Sequence, residues 1–461
     1  MSLTNRNGDD LETYYLGNPP RQSPCDNSTR TKWWKLSPYN CRETINYFLK
    51  MLVLPGLVAG IIVLLMILTT GDIENFTLWV IITVLTYTGS IFISLYSRER
   101  YFTWFHRIQD ESSLVIPNPL NEINETKYRI GFVGDIMMMR GYQLRFSNEV
   151  IKFFGDVNEG VKLIVGNLEG IIRNEDPSLT KQAHPSTILR QLSHLLRDNS
   201  LLLCLSNNHS IDYGNQEFHK SLLIIQQTPK IDVFGRNDVP NVFVDNQKIN
   251  ISSASEWSNQ KNWKCISKYG TNQLSSYYAQ DRFNILTPHW NYENERYVRK
   301  RLQKRSKKLV IDNGNKNWDL IFGHHTHVRQ PIIKVRENFL DANGNPILDA
   351  NNNPKGLWKL VAFSGGNLTS GVTFIRRKKH IHGRIMRCDI GPLTQDPTRL
   401  AIGRVEIQNT FNENGRDADN GAKIKTIRFG EGEQGISRFW MLIIGIAIIS
   451  IVIILRVLGI F

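Results

Sequence analysis

The chain has 461 residues, 41% of them hydrophobic, which excludes a single small domain and is enough for a large core. Its formal net charge of +14 admits an acidic partner such as anionic lipid, a phosphate substrate or a polyanion, although Lys and Arg spread over a solvated surface would give the same total. Its five cysteines show no Cys-x-x-Cys spacing, which excludes a zinc finger or a disulfide framework.

Residues 1–46 are rich in Asn, Ser, Pro and charge and read as a disordered tail. Residues 47–97 read as a transmembrane helical hairpin. Neither 51–69 nor 76–96 carries a charge, each is near the roughly 20 residues that cross a bilayer, and only "TGDIEN" separates them. About fifty residues precede the first apolar run, which argues against a cleaved signal peptide. Lys32, Lys35, Arg42 and Lys50 precede the hairpin, and Arg98, Arg100 and Arg107 follow it. Its turn carries Asp72 and Glu74 and no basic residue, so both hairpin ends, and the domain beyond them, are expected in the cytoplasm.

A linker at 98–126 leads into a domain at 127–410 in which apolar runs alternate with helix-like stretches. "YRIGFVGD" (128–135), "VKLIVGNLEG" (161–170), "LLLCLSNNHS" (201–210), "IDVFGRND" (231–238), "FNILTPHW" (283–290), "DLIFGHHTH" (319–327) and "LVAFSGGN" (360–367) read as short buried strands ending in turns. "HPSTILRQLSHLLRD" and the basic stretch from Asn294 to Gly314 read as helices. This alternation predicts an α/β layered domain, with ligands beyond the C-terminal ends of its strands. Cys204, inside an apolar run, reads as core. The basic run 296–308 reads as a solvated helix face, and 337–356, with its Asn-Gly and Asn-Pro pairs, as turns. A linker at 411–437 precedes an apolar C-terminal segment, 438–461, expected to be a third membrane helix with Arg456 snorkelling near one end.

"GHHTHVRQP" (323–331) places three of the chain's 11 histidines after a buried strand. In extended backbone His325 and His327 would point the same way, and two neutral imidazoles on one point suggest a metal; a histidine-rich surface loop is the plainer alternative. Other strand ends add to them: Asp135, then Asn167 and Glu169, then Asn208 and His209, then His289. Carboxylates, amide oxygens and imidazoles form the ligand set of a two-metal hydrolytic site, in which a carboxylate bridges and a histidine faces the leaving group. Each residue alone has an ordinary explanation, "NNH" as a turn and His289 as a packed ring. Five strand ends delivering such residues together are harder to explain that way.

The ordered stretches "GDIMMMRG" (134–141), "GNLEG" (166–170), "SNNHSIDYG" (206–214), "VFGRND" (233–238), "PHWNYENE" (288–295), "GHHTHVRQP" (323–331) and "FSGGNL" (363–368) resemble the CapA family of capsule (poly-γ-glutamate) synthesis proteins. The resemblance implies a four-layer α/β/β/α sandwich of metallophosphoesterase type. It implies one or two divalent ions, Mn, Fe or Zn. Asp135 and His327 would hold one, Asn208, His289 and His325 the other, and Glu169 would bridge. His209 would be the acid, with Asp212 and Arg140 as further catalytic candidates, although Arg140 reads equally as a surface arginine. His324 falls at a variable position and is set aside as a ligand.

Two departures from the wider phosphoesterase pattern matter. Met137 stands where those enzymes place a histidine, and "GNLEG" replaces their second Asp motif. The first metal is therefore left short of a ligand. Two functions follow as expectations: a membrane-anchored, metal-dependent hydrolase acting on a phosphoester or an acidic polymer, or a non-catalytic assembly factor that retains the fold. Expected partners are the membrane, an anionic substrate and other membrane components of a polymer synthase, with no nucleic acid. The family's domains generally lie outside the cell behind a single helix, whereas the arginine asymmetry here points inward. Cysteines engineered into "TGDIEN" should react with a membrane-impermeant thiol reagent on intact cells, and cysteines placed in 127–410 should not. The reverse labelling pattern would contradict the inward orientation.

Overall fold

The computed structural model describes most of residues 119–430, apart from 140, 156–159, 176–180, 197–198, 245–247, 262, 312–316, 350, 351, 353 and 372–379, together with residues 3–4, 108–111 and seven positions between 56 and 87. The chain forms two units, one of Met1–Leu36 with Ile108–Gly432, the other of Ser37–Arg107 with Glu433–Phe461.

In the second unit, positions 56–57, 60–61, 64–65 and 87 are helical. Gly56 faces Tyr87, whose ring would stand 3.3 Å from an added Cβ. Among the described residues no helix is long and apolar enough to cross a membrane. The segment expected at 438–461, and most of 51–69 and 76–96, lie outside the described residues.

The larger unit is a mixed α/β fold. After β1 (Leu3–Thr4) come β2 (Tyr128–Ile136), β3 (Gln143–Phe146), α1 (Asn148–Gly155), β4 (Leu163–Leu168), β5 (Ile171–Ile172), β6 (Ala183–His184), α2 (Thr187–Leu192), β7 (Ser200–Cys204), α3 (Asn215–Gln226) and β8 (Ile231–Phe234). The chain continues through β9 (Asn241–Val244), β10 (Ile249–Ser255), α4 (Thr271–Tyr277), β11 (Phe283–His289), α5 (Lys300–Ile311), β12 (Leu320–Phe322), β13 (Ile332–Asn338) and β14 (Gly356–Ala362). It ends in β15 (Asn367–Thr369), β16 (His382–Leu393), β17 (Asp396–Arg416) and β18 (Lys423–Phe429).

One sheet has the order β3-β18-β17-β16-β2-β4-β7-β8, with β15 beside β2; the other has the order β1-β9-β10-β11-β12-β14-β13. The period-2 alternation of each strand divides its side chains between two cores. In β7, Leu202 and Cys204 join Ile130, Phe132, Val165, Ile251, Ile285 and Phe322 in a cluster drawn from both sheets. Leu201 and Leu203 instead join Phe154, Leu192 and Phe218 from α1, α2 and α3. On the other sheet Leu286, Ile321 and Val361 pack with Leu274 of α4 and with Leu302 and Val310 of α5. Strands apolar on both faces are therefore sandwiched between the opposite sheet and a helical layer.

β2, β4, β7 and β8 run parallel to one another, as do β10, β11, β12 and β14, so the loops that follow each set leave from one edge. The two edges are joined by backbone. Asp135 N donates to Gly366 O at 2.8 Å, and Gly365 N donates to Gly323 O at 3.2 Å. A Cβ at Gly134 would stand 2.1 Å from Gly366 O, and one at Gly323 would stand 2.1 Å from Phe363 O. Only glycine permits this approach, and forcing a methyl into such a contact costs about 1–3 kcal/mol or more.

Three features differ from the sequence reading. β18 pairs with β17 and β3, so the sheet continues past residue 410 into the stretch read as a linker. Its "KIKTIRF" hides the strand because Lys425 is buried, its Nζ bonded to Asn414 Oδ1 at 2.9 Å. Part of 98–126 also packs on the domain: Asn121 Nδ2 donates to Trp358 O at 2.9 Å and to Ile402 O at 2.8 Å. β10, "INISSAS", is buried throughout although it is mostly small and polar. Its Asn250 Nδ2 donates to Asn284 Oδ1 at 2.8 Å and its Ser253 Oγ to Thr287 O at 2.7 Å, which pairs groups that burial would otherwise leave unsatisfied.

Candidate metal centre

The centre is assembled from the loops at the joined strand ends. Asp135 lies near the end of β2, Glu169 just past β4, Asn208 and His209 past β7, His289 at the end of β11, and His324, His325 and His327 past β12. Asp135, Glu169, Asn208, His289, His325 and His327 are all buried. Their donor atoms form two overlapping triads, Asp135–Glu169–His327 and Glu169–His289–His325, each with its atoms within 4.8 Å of one another. Glu169 belongs to both. Asn208 stands beside the second, its Oδ1 accepting from His289 Nε2 at 2.7 Å.

The route to this convergence differs from simple strand alternation. His325 and His327 have left-handed φ of 88° and 58°, so a turn rather than an extended run brings their rings to 6.0 Å. The ring of His289 lies 4.6 Å from that of His325, and Trp257 packs edge-on to His325 at 4.9 Å.

Asp135 accepts from Asn167 Nδ2 at 2.9 Å, His324 Nδ1 at 3.0 Å and the backbone N–H of His325 at 3.0 Å. His324, set aside as a ligand on sequence grounds, lies outside both triads and instead orients Asp135. Asn207 holds the neighbouring loops together. Its Nδ2 donates to Leu168 O at 2.8 Å, and its Oδ1 accepts from His209 N at 3.1 Å. His209 Nδ1 donates to Asp212 Oδ2 at 2.5 Å, and its Nε2 lies 3.9 Å from Glu169 Oε1. Asn259, which no spacing in the sequence singles out, donates to Asp212 Oδ1 at 3.3 Å and links that pair to Asn208. Arg140 lies outside the described residues.

The electrostatics follow from burial among unlike charges. Burial opposes ionisation of Asp135, but the bonds and charges of His324 and His327 outweigh it and hold its carboxyl well below the usual range. Burial pushes Glu169 up to about 8, against the attraction of His327. Burial alone would lower His327, yet the charges of Glu169 and Asp135 hold it at about 10. Burial keeps His289 well below its ordinary value and lowers His325 to about 4, so both rings are neutral at pH 7. His209 is also buried, but its bond to Asp212 raises its pKa.

A cation fits this set. Both oxygens of Glu169, Nδ1 of His289 and Nδ1 of His325 are buried without a hydrogen-bond partner. Each such atom costs about 1–3 kcal/mol, and native proteins rarely keep several together unless something else binds them. The sequence reading also missed Glu293, whose carboxylate forms a third triad with His325 and His327. "PHWNYENE" offers two glutamates at similar spacing, and nothing in the sequence separates them; the second, Glu295, pairs with Arg299 at 2.7 Å.

Among known families, the bacterial capsule synthesis protein PGA_cap matches residues 129–372, just over half of the chain. No curated protein matches it.

Cation binding at this centre should displace protons. His327 at about 10 and Glu169 at about 8 are both protonated at pH 7 and must lose those protons to bind an ion, whereas His289 and His325 are already neutral. Calorimetric titration of the full chain with Mn(II) at pH 6, 7 and 8 should show affinity rising with pH, by about tenfold per unit for each proton released. A pH-independent affinity would contradict this.

Proposed function

The chain belongs to the bacterial capsule synthesis protein PGA_cap family, and from that premise we propose that its larger unit is a metal-dependent, metallophosphoesterase-like domain of four-layer α/β/β/α type. The domain acts on a phosphoester or an acidic polymer such as poly-γ-glutamate, at a membrane where capsule polymer is made or exported. Glu169 carries the reading: a carboxylate buried without a hydrogen bond, at the junction of two triads of potential ligands.

Asp135, Glu169 and His327 would hold one divalent ion, and Asn208, His289 and His325 the other, with Glu169 between them. Mn, Fe or Zn suits such a mixture of oxygen and imidazole donors. Bound there, the ion supplies Lewis acidity and lowers the pKa of a coordinated water. The chain's own groups do the rest. Asp212 fixes the His209 ring through Nδ1 and favours its protonated form, which leaves Nε2–H to donate toward a leaving oxygen. His324 and Asn167 hold the Asp135 carboxylate in one orientation. Buried rings and Trp257 limit water around the reacting groups.

Membrane anchoring has support in the second unit, where the helical residues Leu57, Ile61, Leu64 and Leu65 expose more than half of their surface. Such a row of aliphatic side chains suits lipid and not water. The charge distribution around the hairpin supports a cytoplasmic position for the larger unit, which the labelling pattern above tests.

His325 and His209 should separate by experiment. Replacing His325 with Ala in the full chain should lower both metal content and turnover. Replacing His209 with Ala should leave the metal bound and reduce turnover by about 10²–10⁴, assayed on a generic phosphodiester and on poly-γ-glutamate. Equal, negligible turnover by both variants and the wild type, with capsule formation intact in cells, would replace the hydrolase with an assembly factor.

A further inference from the structure

We propose that Glu293 is a further metal ligand of the centre, supplying beside His325 and His327 the donor that Met137 does not provide. The inference rests on the reading of the centre as a metal site and adds a residue outside the ligand set given above.

The donor atoms of Glu293, His325 and His327 lie within 4.8 Å of one another. Three ligands spread evenly at about 2.0–2.2 Å around one ion stand about 3.5–3.8 Å apart, so a closure of at most about 1 Å brings all three to bonding distance. His325 Nδ1 is buried and without a hydrogen-bond partner, so this member of the triad keeps a lone pair for a cation. His327 belongs both to this triad and to the one with Asp135 and Glu169. His325 belongs also to the triad with Glu169 and His289, so Glu293 shares one donor with each ion position, and through His327 it brings a carboxylate within reach of the one that Met137 leaves short. The Met137 side chain offers only a soft thioether, which suits the ions expected here poorly.

The loop carrying Glu293 is held on both sides. Asn291 N donates to Glu256 Oε2 at 3.0 Å, and Asn291 Nδ2 donates to Gln330 Oε1 at 3.2 Å. Asn294 N donates to Thr326 O at 2.8 Å, and Asn294 Oδ1 accepts from His380 Nε2. Gln330 Nε2 reaches Glu295 O at 2.8 Å. Asn291 and Asn294 both take left-handed φ, 73° and 67°, a conformation asparagine tolerates better than most residues. Two bends bracket Glu293, and Thr326, between the two histidines, anchors one of them. Glu293 is only half-buried, unlike Glu169, so it approaches the centre from its open side.

The test is equilibrium dialysis of the full-length chain against Mn(II) and Zn(II), with metal measured by elemental analysis. Wild type, Glu293→Gln, Glu293→Asp and Glu295→Gln are compared, with thermal unfolding of each metal-free protein as the check on folding. Removing a group that merely supports a ligand typically costs 10–100-fold in affinity, so Glu293→Gln should weaken at least one metal equivalent by more than about tenfold. Glu293→Asp should show a smaller loss, and Glu295→Gln should bind like the wild type. Wild-type binding by Glu293→Gln, or an equal loss in Glu295→Gln, would overturn the assignment and leave the other ligands standing. A wild-type chain that binds neither ion would overturn the metal reading itself, and this inference with it.

Discussion

The larger unit is organised around one unfavourable arrangement, a carboxylate buried without a hydrogen bond. Glu169 lies 3.5 Å from His327 Nε2 and 3.9 Å from His209 Nε2, with Asp135 also in the cluster. A chain selected for stability alone would replace such a group with an apolar one, because a buried carboxylate without a hydrogen bond is costly even when it keeps its proton. Its retention points to something that binds the carboxylate. The pieces around it, two neutral imidazoles, a second carboxylate and an amide oxygen, are those a divalent cation uses.

The fold accommodates this by bringing two sheets together where their parallel strands end. Gly134 against Gly366 and Gly323 against Phe363 let the backbones close to a separation that no side chain permits. Asp135, on one sheet, then accepts from His324 and His325, which follow the other. The same contact that joins the sheets thus orients the first carboxylate. Asn207, Asn259 and Gln330 do similar work between loops: each links segments distant in sequence through side-chain amides, which can donate and accept at once.

Much of this arrangement is legible in the sequence because it follows a simple rule: a largely apolar run, with a chemically active residue at or just past its end. Asp135, Glu169, Asn208, His289, His325 and His327 each end or follow such a run, and they converge. What stays hidden has physical reasons. β10 is buried but polar, its hydroxyls and amides paired across to β11, so hydropathy does not reveal it. β18 carries a buried lysine that reads as surface. Glu293 cannot be told from Glu295 by spacing, since the bends at Asn291 and Asn294 decide which one faces the histidines. His324 shows the converse: the resemblance sets it aside as a ligand, but its bond to Asp135, which makes it a brace for that carboxylate, becomes visible only in the turn.

The central claim is that Glu169 is where a cation sits. Diffraction at the manganese absorption edge, from crystals of the chain equilibrated with Mn(II), tests it most directly. The account predicts an anomalous peak about 2.0–2.3 Å from a Glu169 oxygen, shared with a nitrogen of His325 or His327. An empty cluster, with Glu169 hydrogen-bonded to His327 and manganese bound elsewhere or not at all, would contradict it.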